Sequence, residues 1–185
     1  MKKIIILIFC FFPLLGFSQF QEKFKEMNNV QNPNFEHYDD LLFEATSYIF
    51  SHPANPKSKE FIYAIQIAKF WMDKDTGFGM PTFGDFYNTL KNENNEQFFY
   101  TIAMMHYNLI QKIEKNRLIK LVKVEGVKFS ELPEVMEVQY GGAEILLNYA
   151  ENTENNLPLN KESQKYLIAY RNGDLTEMMF KKNGL

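Results

Sequence analysis

Cysteine is almost missing from this sequence. The one cysteine in 185 residues, Cys10, lies in a leader-like N-terminus. Once that leader is removed, the chain has no thiolate nucleophile, no disulfide and no cysteine-ligated zinc or iron–sulfur site. Histidine is scarce too, with His37, His52 and His106 in three separate stretches. No G-x-S-x-G stands with them, so serine–histidine catalysis has no support. Positive charge is in deficit: 20 basic residues face 23 acidic ones, and without Lys2 and Lys3 the balance is 18 to 23, a net charge of −5. An acidic surface of this kind argues against nucleic acid as a partner, because phosphate binding needs clustered Lys and Arg.

What is present first is a processing segment, MKKIIILIFCFFPLLGFS, over residues 1–18. Lys2 and Lys3 form a positive start, Ile4 to Phe12 an apolar stretch, and Pro13 and Gly16 end it. Gly16 and Ser18 are the small residues that a signal peptidase admits before the cut, so cleavage is expected between Ser18 and Gln19. The apolar stretch is shorter than the roughly 20 residues that a membrane-spanning helix needs. Cys10 follows Phe9 where a lipoprotein signal would have a small residue. The chain is therefore expected to be exported, periplasmic or secreted, with no stable membrane anchor afterwards.

The remaining 167 of the 185 residues are enough for one domain held by its core alone. Residues 19–36 show no sustained period and are expected to form a loose N-terminal arm. Residues 37–185 show the helical period repeatedly. Leu41, Leu42, Ala45, Tyr48 and Ile49 form one stripe, ended by the prolines of SHPANP. Ser58 is placed to cap a second helix with the stripe Phe61, Ala64, Ile65, Ala68 and Trp71. Asn94 and Gln97 have capping-box spacing before a long helix whose apolar face runs from Phe98 and Phe99 to Ile113.

Ser130 is expected to open the next helix, with Pro133 in its first turn. Asn160 is expected to cap another, Gly173 to stop it, and Asp174 with Glu177 to cap the last. Residues 117–129, RLIKLVKVEGVKF, are open between helix, loop and a small hairpin, with a helical turn followed by a loop favoured. The fold class is all-α: a single-domain bundle of about six or seven helices in antiparallel pairs. Within it, Gly141 and Gly142 interrupt a helix interior, where each costs about 1 kcal/mol relative to alanine. Gly142 shares a stripe with Val135, Val138, Ile145 and Tyr149, so it is expected to admit a neighbouring helix, whereas Gly141→Ala is expected to be tolerated.

Candidate sites are few. The stretch FWMDKDTGFGMPTFGDF holds a G-x-G, but it follows a helix and lacks the strand–turn–helix setting of a phosphate loop. Its aromatics Trp71, Phe78, Phe83, Phe86 and Tyr87 are the candidate ligand-binding residues, since such rings wall apolar or sugar sites. The competing reading folds them inward as the joint between two helices. His37 beside Asp39, Asp40 and Glu44 lacks a second histidine, and acidic residues at a helix start suit the macrodipole alone. Met104, Met105 and His106 point about 100° apart on a helix and cannot converge on one ion. No catalytic residue, metal site or cofactor is assigned.

Three stretches, FWMDKDTGFGMPTF, YTIAMMHYNLI and AEILLNYAENTENNLPLNKESQKYLIAYRNGDL, together resemble a family of uncharacterised, exported, all-helical bacterial proteins. The resemblance covers roughly residues 40–180. It implies fold and export and carries no activity. The function expected is binding of a protein or small ligand; the alternative is a hydrolase-like envelope enzyme with an acidic and aromatic cleft. Intact-mass spectrometry of exported material should show a chain beginning at Gln19, and retention of Met1 or a lipid on Cys10 would contradict this.

Overall fold

A computed structural model describes residues 19–30, 34–72 and 78–181. The leader and its cleavage site lie outside these residues, as do residues 73–77 of the aromatic stretch. Eight α-helices and no strand occur among the described residues. They are α1 (Gln19–Asn29), α2 (Asp39–Ser51), α3 (Lys59–Met72), α4 (Asp85–Thr89), α5 (Glu96–Leu109), α6 (Pro133–Glu151), α7 (Lys161–Asn172) and α8 (Leu175–Phe180). The α5–α6 pair has the most extensive packing, followed by α2 on α3. α2 also meets α5, α1 lies on α3, and α7 joins α6, α4 and α8.

The expected loose arm over 19–36 is corrected for residues 19–29, which form α1. Phe20, Phe24 and Met27 recur at helical spacing among polar residues, and Met27 is wholly buried. Phe20 meets Tyr48 edge-on at 5.6 Å and Phe24 meets Tyr63 at 6.1 Å. Only three apolar positions carry the period, so the stretch looks polar until α3 supplies the surface that stabilises it.

The expected stripes of α2, α3 and α6 face the core, and Leu42, Ala45, Ile49, Ala64, Ala68, Trp71, Val135 and Val138 are all fully enclosed. Ser58 Oγ accepts from the Phe61 N–H at 3.3 Å, and Asn160 Oδ1 accepts from Glu162 and Ser163 at 2.9 and 3.3 Å, so both expected caps form. Gly173, at φ 80, ends α7 as the left-handed residue. Three other caps differ, the first being Asp174, which precedes α8 without the expected side-chain cap bond. Asn95, at φ 59, precedes α5 without a side-chain cap, and the Glu96 carboxylate instead accepts from the Lys91 N–H at 2.6 Å. α6 starts at Pro133 after Leu132, and Ser130 sits in the preceding 3₁₀ turn, Phe129–Glu131.

α5 ends in a π-helical turn, Ile110–Glu114. Residues 116–124 are irregular and residues 125–126 form a turn, so the loop expected after a helical turn takes this stretch, and neither the helical turn nor the hairpin forms over 117–128.

The two glycines of α6 explain how closely α5 approaches. A Cβ on Gly142 would lie 2.4 Å from Met104 Cγ and 3.0 Å from the Met104 backbone N. A Cβ on Gly141 would lie 2.2 Å from the Tyr107 ring, so this glycine also faces α5, and the expectation that Gly141→Ala is tolerated is corrected. Met104 and Tyr107 are three apart on α5 and present one ridge to two adjacent small positions on α6. Gly142→Ala should cost about 1–3 kcal/mol in chemical denaturation, because a backbone neighbour cannot move aside. Gly141→Ala should also destabilise. A gain near the roughly 1 kcal/mol that alanine brings to an exposed helix interior would contradict this packing.

Candidate functional site

The five candidate aromatics do not gather into one wall. Trp71 is fully enclosed and meets Tyr38 edge-on at 6.2 Å. Phe86 is buried between Tyr100, at 5.0 Å, and Tyr166, at 4.7 Å. Tyr87, half-buried, also stands near Tyr100, so Phe86 and Tyr87 are the two that share a neighbour. Half-buried Phe83 lies 6.0 Å from Phe129, and Phe78 lies under the Lys112 ammonium at 5.4 Å. Trp71 and Phe86 are thus core residues by position, and the other three bracket the loop over 78–84.

That loop is held by polar side chains that sequence patterning passed over. Gln139, buried on α6, donates to Phe83 O at 2.8 Å and Pro81 O at 3.2 Å, and its own carbonyl accepts from Tyr100 Oη at 2.8 Å. Asn108, buried on α5, donates to Gly79 O at 3.2 Å and to Met104 O at 3.0 Å. A buried backbone carbonyl without a partner is destabilising by roughly 1–3 kcal/mol, so these two amides set the path of the loop. The one available signal was a polar residue at a core position of each helical stripe.

A charged cluster stands where the π turn leaves α5. Arg117 forms a two-pronged pair with Glu137, with Nη1 to Oε2 at 3.0 Å, and also reaches Gln111 Oε1 at 2.7 Å. Tyr107 donates to Glu137 at 2.9 Å. The Arg117 hydrogen bond holds the Glu137 carboxyl below the usual range, while burial and the bond to Glu137 push the Tyr107 hydroxyl up to about 12. Nearby, Lys112 pairs with Asp39, whose carboxyl is raised by burial against the opposing pull of Lys112. Each carboxylate here is committed to a cation, and the Glu137 carboxyl and the Tyr107 hydroxyl are both shifted away from the neutral range where general acids and bases work.

Glu96 is wholly enclosed and accepts four hydrogen bonds: from Lys91 N, Asn160 N and Asn160 Nδ2 at 2.5–2.6 Å and from Ser163 Oγ at 3.3 Å. It fastens the start of α5 to the cap of α7 and is a structural tie.

The histidines stay apart. His37 is exposed beside Tyr38, and His52 stacks on Tyr48 at 4.0 Å. His106 lies between Phe43 and Phe50, at 5.5 and 5.7 Å, with Nδ1 bonded to Thr46 Oγ1 at 2.9 Å. No group of three or more His, Asp or Glu able to hold a metal occurs among the described residues.

A groove opens where the end of α6, the chain over 153–159 and α7 meet. It has a volume of about 640 Å³ and an apolar floor of Ala150, Leu157, Pro158, Leu159, Leu167 and Ile168. An ion pair between Arg171 Nε and Glu151 Oε1 at 2.7 Å lies at its rim. A second depression of about 640 Å³, near Pro53–Lys57, Phe61 and Phe99, meets the first at Asn156 and Leu157. Both volumes suit small ligands. No family model matches the chain, and neither a curated protein nor a solved structure matches it.

Burial lowers the His106 pKa from 6.5 to about 4. The folded state therefore favours the neutral ring, and the unfolded chain takes up the proton first. The resulting stability is complete above about pH 6.5 and is lost as pH falls toward 4. Between pH 7 and pH 5 the wild type should lose about 1–2 kcal/mol more than His106→Gln in urea denaturation; equal losses would place the ring in water.

Proposed function

We propose that this is an exported helical binding module whose α6–α7 groove takes the apolar part of a small molecule or peptide. The observation that supports this reading is the groove itself. It offers six apolar side chains and, within it, a single acidic residue already paired with arginine. Catalysis by general acid and base needs two titratable groups in different environments, and the groove lining holds one carboxylate, Glu151, and no histidine. Export rests on the leader residues, and the likeness to uncharacterised exported helical proteins agrees with it. The hydrolase alternative has less support, because the charged cluster at Arg117 and Glu137 is internally neutralised.

Ile168 is 56% exposed at the groove, so replacing it should leave the fold intact. Titration with the neutral apolar dye Nile red should show binding to the wild type, weakened several-fold by Ile168→Glu. Unchanged dye binding in the variant would remove the groove as the site.

A further inference from the structure

The loop between the π turn and α6 differs from the rest of the molecule in both charge and exposure. Residues 115–128, KNRLIKLVKVEGVK, contain Lys115, Arg117, Lys120, Lys123 and Lys128 against one acid, Glu125, giving +4. The whole chain carries −3, so everything outside this loop sums to −7. Among the described residues eight large apolar side chains are exposed, and five of them fall within 113–127: Ile113, Leu118, Val122, Val124 and Val127. This concentration makes the loop a patch, which singly scattered apolar residues are not.

The loop is fixed at its base, so its outward side chains are presented and not simply loose. Ile119 is buried in the core, and Leu121 occupies the space beside Gly79 where a Cβ would meet it at 2.2 Å. The Arg117 N–H donates to Gln111 O at 2.8 Å, and the Val127 N–H to Val124 O at 3.3 Å. With these residues turned inward, Val122 is left 64% and Val124 49% exposed. Lys120 and Lys123 have no ion-pair partner among the described residues, Lys115 lies in the field of the Glu137 carboxylate, and Lys128 pairs with Glu131 at 3.5 Å.

We infer that this loop docks the protein peripherally onto an anionic lipid surface, with the free lysines at the phosphates and Val122, Val124 and Leu118 at the level of the headgroups. Three observations favour lipid over other occupants. The free cations are lysines, point charges suited to a diffuse negative surface, whereas the one arginine is engaged by Glu137. The loop has no aromatic side chain to stack on bases, which single-stranded nucleic acid sites use. Pairing of two loops across a two-fold axis would bring +4 against +4. Lysines beside an anionic bilayer and short aliphatic side chains act together, and neither alone gives lasting attachment.

The test is sedimentation of the exported chain, beginning at Gln19, with vesicles of phosphatidylcholine containing phosphatidylglycerol, at low and high salt, so that the apolar leader does not itself bind the vesicles. Lys120→Glu/Lys123→Glu should bind at least ~25-fold more weakly, since each lysine near such a surface is worth roughly a fivefold factor. High salt should erase that difference. Val122→Ser/Val124→Ser should weaken binding several-fold while keeping the salt dependence. The substituted side chains are solvent-exposed, so circular dichroism melting should be unchanged in both variants. Equal partitioning of wild type and charge-reversed chain at low salt would overturn the proposal. So would a lipid-independent loss of self-association in the variant, which would give the surface to a second copy.

Discussion

The close approach of α5 and α6 is the constraint on which the other contacts depend. Two consecutive glycines in a helix interior are unfavourable in isolation, yet here they remove the side chains that would hold the two helices apart. With Gly142 against the Met104 backbone and Gly141 under the Tyr107 ring, the pair forms a dense centre of Ile102, Ala103, Leu146 and Leu147. α2 then covers α5, α3 covers α2, and α1 adds an outer layer. The closeness also brings the Tyr107 hydroxyl to Glu137, linking packing to the charged cluster.

Polar side chains inside the bundle set the paths of the loops. Gln139, Asn108, Gln111 and Glu96 are all buried, and they hold, respectively, the 81–83 stretch, Gly79, Arg117 and the α7 cap. Buried amides and carboxylates are tolerated when their hydrogen bonds are made, and here half of the partners are backbone groups of loops with little secondary structure of their own. In the aromatic stretch, Trp71 closes α3 in the core, Phe86 opens α4 in the core, and residues 79–83 are tied to α5 and α6.

How much of this was legible follows from where the information lies. Helix period, proline stops and the caps at Ser58, Asn160 and Gly173 are local signals, and they carried the all-α fold. Gly142 was readable because its stripe mates are Val135, Val138 and Tyr149; Gly141 was missed because it lies one position off that stripe, where only the position of Tyr107 shows the clash. α1 was missed because Phe20, Phe24 and Met27 are a thin stripe that needs α3. The groove and the exposed face of the 115–128 loop depend on which side chains the fold leaves uncovered, and no spacing in the chain encodes that. Ile119 and Val122 are alike in sequence, and only packing makes one core and the other surface.

Stability should accordingly be centred on α5 and α6. Native-state amide hydrogen exchange tests this most directly, because it ranks opening free energies segment by segment. The slowest amides should lie within 99–109 and 135–147, opening only with global unfolding, while α1 and α8 exchange first. Slower exchange in α2 and α3 than in α5 and α6 would contradict the account.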